Sequence, residues 1–209
     1  MNARETVLGR VRDALALAPR PAGTVPRDYR RGRELPDANR LALLVDRLAD
    51  YKARVRTCTA AETAATLAEV LTGLGAARVG VPPGLDPAWL ADWSGALVED
   101  RPDVPAPSLA ELDAVVTASA VTCAETGTIF LDGSSGQGRR ALTLVPDVHV
   151  CVVDLSQVTP GIPEALARLV PGRPTTLISG PSATSDIELE RVEGVHGPRT
   201  LAVVIRTDR

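Results

Sequence analysis

Aromatic residues are almost missing from this chain: two Trp, two Tyr and one Phe make up 2% of 209 residues. The core must then be built from Ala, Val, Leu and Ile, and the stacking platforms that hold single-stranded nucleic acid are nearly absent. Cysteine is scarce too. Cys58, Cys123 and Cys151 are widely spaced with no Cys-x-x-Cys, which encodes neither a disulfide framework nor a zinc or iron–sulfur loop and fits a reduced, cytoplasmic setting. No long apolar run opens the chain, because Arg4, Glu5, Arg10, Arg12 and Asp13 interrupt residues 1–17; no signal peptide and no membrane span is expected there. A global basic field is also missing. The net charge is −3 and the pI about 5.5, so bulk charge does not call for nucleic acid.

What is present is 44% hydrophobic and 23% charged residues, enough chain for one sizeable core with an appended arm. Val7, Leu8, Val11 and Leu15 recur at helical spacing, so a short amphipathic helix opens the chain. Residues 19–36 carry Pro19, Pro21, Pro26 and Pro36 among five arginines and read as a solvated tether. Residues 1–36 are therefore expected as a helix and arm that dock on a partner or form a homo-oligomer, and residues 37–209 as a single α/β domain.

Within that domain, helix stripes alternate with short strands expected at 53–58, 78–81, 96–99 and 114–119, with Asp86 and Pro87 marking a short helix between them. That alternation points to βαβ units and a mostly parallel sheet flanked by helices. The second half changes rhythm. Apolar segments at 128–131, 141–145 and 148–154 follow with only turns between them, too little chain for parallel crossovers, so an antiparallel hairpin or meander is expected and the sheet becomes mixed. The last strands are expected at 175–179 and 201–206.

Chemistry concentrates in the second half. Glu125 stands beside Thr126, Gly127 and Thr128 at a strand edge, where a carboxylate serves as general base, nucleophile or hydroxyl acceptor, or simply caps local amides. Gly133, Gly136 and Gly138 precede Arg139 and Arg140, giving either a loop whose amides and guanidinium groups face an anion or a flexible hairpin tip. Residues 179–186, with Gly180, Ser182, Thr184 and Asp186, offer a glycine-proline turn and hydroxyls where a helix can begin, a place for anion binding or for ordinary capping. Asp147, His149 and Cys151 would share one face of a strand, but they match no zinc spacing, so no metal site is assigned. His196, between glycines before the last strand, is the better candidate for acid–base or ligand contact.

The ordered set Ala-Glu-Thr-Gly-Thr at 124–128, Arg-Arg-Ala-Leu-Thr-Leu-Val-Pro-Asp-Val-His-Val at 139–150, Ser-Gly-Pro-Ser-Ala-Thr-Ser-Asp-Ile-Glu at 179–188 and Gly-Val-His-Gly-Pro at 194–198 resembles the lactate-utilisation protein C family, which carries the LUD domain. The resemblance implies a Rossmann-like fold close to the sugar-phosphate isomerase and coenzyme A transferase group. It also implies membership of a system that oxidises L-lactate to pyruvate with iron–sulfur partner proteins. The sequence encodes no cofactor site of its own, so iron–sulfur clusters are expected only on those partners. Three roles stay open: a non-redox component that binds a small anionic ligand at the Glu125, Arg139 and His196 edge; a stand-alone coenzyme A transferase-like or isomerase-like enzyme using Glu125; and an assembly or regulatory protein without catalysis.

Overall fold

A computed structural model describes residues 2–17, 23–29, 32–185, 191–193 and 197–208. The chain divides into two units, Met1–Arg30 and Arg31–Arg209. The first holds helix α1 (Ala3–Leu17). Its start is closed reciprocally: the Glu5 amide donates to Asn2 Oδ1 at 2.9 Å and the Asn2 amide to Glu5 Oε2 at 3.2 Å, satisfying donors that a helix N-terminus leaves open.

The second unit runs α2 (Asp37–Asp50), β1 (Arg54–Cys58), α3 (Thr63–Gly73), β2 (Arg78–Val81), β3 (Ala96–Glu99) and β4 (Ala114–Ala118). It continues through β5 (Val121–Cys123), β6 (Thr128–Leu131), α4 (Arg140–Leu144), β7 (Val148–Asp154), β8 (Val158–Thr159) and α5 (Ile162–Arg168). It ends with β9 (Thr176–Ile178), β10 (Ala183–Ser185), β11 (Arg191–Glu193) and β12 (Thr200–Arg206). The Asp86 side chain accepts from the Ala88 amide at 3.0 Å with Pro87 behind it, so the short helix expected there is a single 3₁₀ turn, Pro87–Leu90.

Six strands form one sheet in the order β1-β12-β7-β4-β2-β3, parallel at every pairing. Alternation along the strands divides the core. Cys151, Val153, Leu201, Val203 and Ile205 face Leu44 and Leu48 of α2 together with Ile129 and Leu131 of β6. Val150, Val152, Ala202 and Val204 face Leu67 and Leu71 of α3. A strand with both faces covered reads as a continuous apolar run, which is why β7 and β12 were legible.

The α/β class, the mostly parallel sheet and the antiparallel hairpin are all present, but the hairpin does not join the large sheet. Ser119 donates to the Val152 carbonyl of β7 and Ala120 to the Phe130 carbonyl of β6, so the chain changes sheets within two residues. β5 and β6 belong to a second sheet, β8-β5-β6-β9, in which β5 pairs parallel with β8 while β5·β6 and β6·β9 are antiparallel. Its far face packs Val121, Cys123 and Phe130 against Ala165 of α5.

Two expectations are corrected. Residues 141–145 form most of helix α4 rather than a strand, because Ala141, Leu142 and Val145 share a helical face that packs on Leu109, Leu112 and Val115, and Pro146 then stops it. The 182–185 segment does not begin a helix. It forms β10, paired antiparallel with β11, and the Ser182 amide is spent on the Pro198 carbonyl at 2.8 Å.

Candidate ligand site

Strand β6 runs out at Leu131 into a loop, residues 132–138, that is built from its own side chains. The buried Gln137 side chain accepts from the amides of Asp132 at 2.6 Å and Gly133 at 3.1 Å, and Asp132 Oδ1 accepts from the Ser134 amide at 3.1 Å. The Ser134 carbonyl takes the amides of Gln137 and Gly138 at 2.9 and 3.2 Å. Those five amides are satisfied inside the loop, so the expected glycine cradle of amides around an anion does not form from them. The loop is anchored by Gly84 donating to the Ser135 carbonyl and Ala118 to the Gly136 carbonyl. It therefore occupies the carboxyl ends of β2 and β4, where strand order reverses and open α/β sheets bind ligands.

Around this loop the charges sort into pairs and one remainder. Arg139 reaches the buried Asp100 through Nε at 2.9 Å and Nη2 at 2.8 Å, and Nη2 also donates to the Val104 carbonyl at 2.7 Å. The bond to Asp100 holds the Arg139 guanidinium above its ordinary pKa. Arg173 Nη1 lies 3.1 Å from Asp132 Oδ2. Burial alone would raise the Asp132 pKa, but the Ser134 hydroxyl and amide and the Arg173 charge outweigh it and hold the carboxyl below its usual value. Arg140, by contrast, has an exposed side chain with no hydrogen bond or ion pair among the described residues.

Arg140 stands on the wall of two neighbouring cavities. One, of about 880 Å³, lies along the loop and is lined by Asp100, Asp132, Arg139 and Arg173. The other, of about 300 Å³, is lined by His149, Ser179, Gly180 and Ser182. Arg140, Thr143 and Thr176 line both.

His149 is fully buried in β7, with Nε2 2.8 Å from the Thr117 hydroxyl on β4. Burial pushes its pKa down to about 4, so the imidazole is neutral at pH 7. Its Nδ1 has no hydrogen-bond partner. Thr117 Oγ1 lies 3.9 Å from Cys151 Sγ, and burial drives that thiol up to about 12. Asp147 does not join them. It precedes β7, is exposed, and faces Arg199 at 3.7 Å.

The other residues singled out from sequence divide between two places. Thr126 and Thr128 share a hydroxyl contact of 2.8 Å, and Thr128 a second of 2.8 Å with Ser179, so this part of the strand edge reaches the rim of the smaller cavity. Gly127 makes the intervening turn at φ +60°, where a Cβ would come within 3.0 Å of Arg47 Cβ. Gly180 lies on the cavity wall at φ +85°, and its backbone passes so close to Tyr51 that an added Cβ would stand 2.6 Å from the tyrosine Cβ.

Glu125 turns away from both cavities. Its amide donates to the Pro160 carbonyl, its carbonyl accepts from Arg47 Nε, and its carboxylate lies 3.9 Å from Arg33 Nη2. Arg33, from the stretch read as a tether, also donates its amide to Glu164 and Nη2 to the Pro160 carbonyl. Glu125 thus sits with Glu164 beside Gly161, apart from Arg139 and Arg140. Thr184 lies in β10 opposite Val192. Asp186 and His196 fall outside the described residues.

Sequence reasoning missed Asp100, Gln137, Thr143 and Arg173, and considered His149 only as a metal ligand. An Asp-Gly pair at 132–133 and an Arg-Pro at 173–174 were the available signals, since both mark turns that present charge beside a strand end.

A family profile, the LUD domain, matches residues 99–205, just over half of the chain. A protein named lactate utilization protein C from Deinococcus radiodurans is 46% identical over 164 residues, covering 77% of this chain and 76% of that protein. The chain belongs to the LUD domain family. Like-named LUD relatives from Geobacillus kaustophilus and Bacillus subtilis are 38% and 34% identical over 44% and 45% of this chain; the matches span 41% and 42% of those proteins, under half their length. A crystal structure of a DUF162 family protein from Deinococcus radiodurans superposes with a TM-score of 0.70 at 37% identity, covering 83% of this LUD protein and 100% of that chain. The profile takes in the loop, both arginines, β7 and β12, so the whole of the cavity region except Pro83 lies in the family's shared part.

Proposed function

We propose that this protein takes part in lactate utilisation as a non-redox component that works with iron–sulfur partner proteins, and that it binds a small organic anion at Arg140. The lactate assignment follows the names of its relatives. The division of labour follows from the sequence, whose three cysteines have no cluster spacing.

The observation that carries the ligand reading is the contrast among three neighbouring arginines. Arg139 and Arg173 are neutralised by Asp100 and Asp132, whereas Arg140 projects its charge where the two cavities meet, with no ion pair among the described residues. A carboxylate there gains a charge-assisted bond to a guanidinium and hydroxyls from Thr143 and Thr176. Glu125 contributes nothing to that contact, so the site centres on Arg140 rather than on the Glu125 edge.

Calorimetric titration of the purified chain with L-lactate, pyruvate and inorganic phosphate tests this. Binding of at least one carboxylate, weakened tenfold or more in Arg140→Gln, is expected. Failure of every anion to bind at millimolar concentration, or undiminished binding by Arg140→Gln, overturns it. For the system-level role, a strain lacking the protein is expected to lose growth on L-lactate, and normal growth counts against it.

A further inference from the structure

The smaller cavity contains a polar group that the anion reading does not use. His149 forms part of its wall, is fully buried, and leaves Nδ1 without a partner, although buried nitrogen atoms are nearly always satisfied. The unmet group has a definite polarity. Cys151 Sγ lies 4.0 Å from the Val152 carbonyl and keeps its proton, so it can donate there; Thr117 then donates to Cys151 Sγ; and Thr117 Oγ1 is left to accept from His149 Nε2–H. That chain of donors places the single imidazole proton on Nε2. Nδ1 is then a bare lone pair, a hydrogen-bond acceptor awaiting a donor. No water-filled polar cage is needed to satisfy it if the ligand brings the donor itself.

We infer that the cavity walled by Arg140 and His149 is a site for a short 2-hydroxy carboxylate, with the carboxylate on Arg140 and the hydroxyl donating to His149 Nδ1. This rests on the anion reading above and narrows it to one substrate class. The cavity's size of about 300 Å³ is at the small end for ligand sites and suits a compact acid rather than a nucleotide. Ser179, at the end of the Thr126–Thr128 hydroxyl chain, supplies a further adaptable donor on the rim. The polarity also sets selectivity. A 2-keto acid presents only acceptor oxygens to the lone pair, and an unsubstituted acid leaves it unmet, so both bind less well than the hydroxy acid.

Calorimetry of the full chain at pH 7 with L-lactate, propionate and pyruvate separates the outcomes. The hydroxy acid is expected to bind about tenfold or more tightly than the other two. His149→Phe, which keeps a buried ring and removes the acceptor, is expected to bring L-lactate down to the propionate level while leaving propionate unchanged. Equal, Arg140-dependent affinities for all three acids in the wild type overturn this inference and leave the anion reading standing; binding of none overturns both. A second measurement does not depend on the variant folding. With only two histidines in the chain, nitrogen NMR of the histidine-labelled protein resolves His149, for which the Nε2–H tautomer and a shift of Nδ1 on adding L-lactate are expected. An Nδ1–H tautomer, or an Nδ1 signal that ignores saturating L-lactate, overturns the assignment.

Discussion

Arg139 grips the buried carboxylate of Asp100 through both Nε and Nη2, 39 residues away in sequence, while Arg140 beside it holds nothing among the described residues. Adjacent residues of identical chemistry thus have different jobs. Arg139→Ala strands an Asp that is 5% exposed, and removing one partner of a buried pair is strongly destabilising because the other charge is left uncompensated. A fall in melting temperature of roughly 5–10 °C is expected for a domain of this size. Arg139→Lys is expected to recover only part of it, since a point charge cannot reproduce the two-pronged contact or keep the Val104 carbonyl as well. Arg140→Ala is expected to melt within about 1 °C of the wild type, as exposed substitutions do, and to lose anion binding. Thermal denaturation by circular dichroism beside calorimetry separates the two arginines.

Gly180→Ala is expected to destabilise by about 2 kcal/mol or more, from a left-handed backbone that alanine resists together with overpacking. The added carbon would meet Tyr51 Cβ at 2.6 Å and C γ at 3.0 Å, atoms too near the backbone to swing aside. Because Gly180 forms part of the smaller cavity's wall, carboxylate affinity should fall with stability. Urea denaturation and calorimetry on the same sample check both, and a variant as stable as the wild type contradicts the close approach.

Much of this fold could be read from the chain because β2, β3, β4, β7 and β12 are short apolar runs between helical stripes, and both faces of a central parallel strand ask for the same residue types. α4 was misread because Ala-Leu-Thr-Leu-Val satisfies strand alternation and helical packing alike over five residues, and only its contact with Leu112 and Val115 decides between them. The separate second sheet was hidden for a related reason. Alternation shows that β5 and β6 pair, but not which layer they join. At the site, the polar anomaly at residues 124–128 and the Arg-Arg pair were visible, whereas the partners that give them meaning were not. Asp100 claims Arg139 and Arg33 meets Glu125 across long sequence separations that no local pattern encodes.

Glu125→Gln discriminates between roles for the strand edge. The Glu125 carboxylate is about one-third exposed and its contact with Arg33 is long at 3.9 Å, so the loss of stability is expected to stay below about 1 kcal/mol. Carboxylate affinity at Arg140 is expected to be unchanged within about twofold, since Glu125 lines neither cavity. If incubation with an acyl-coenzyme A followed by hydroxylamine labels Glu125, as peptide mass analysis would reveal, the edge is a nucleophile and the transferase reading gains what the geometry of the cavities does not give it.

The buried imidazole makes stability depend on pH in a defined window. His149 titrates near 6.5 when unfolded and at about 4 when folded, because burial disfavours its charged form. Between those values the unfolded chain binds a proton that the folded chain does not, so unfolding becomes easier as pH falls from 6.5 towards 4, and the loss levels off below 4, where both states are protonated. The full difference corresponds to about 3 kcal/mol. The groups around the ring do not share this window: the Cys151 thiol stays protonated up to about 12 and Thr117 does not titrate. Urea denaturation at intervals from pH 5 to 7 is therefore expected to give a steeper decline for the wild type than for His149→Phe, whose unfolded state has lost that proton site. The comparison cancels His196 and the carboxylates, which both proteins share. Parallel slopes for the two proteins would show that His149 keeps its proton on folding, and with it that Nδ1 is not the lone pair the cavity presents.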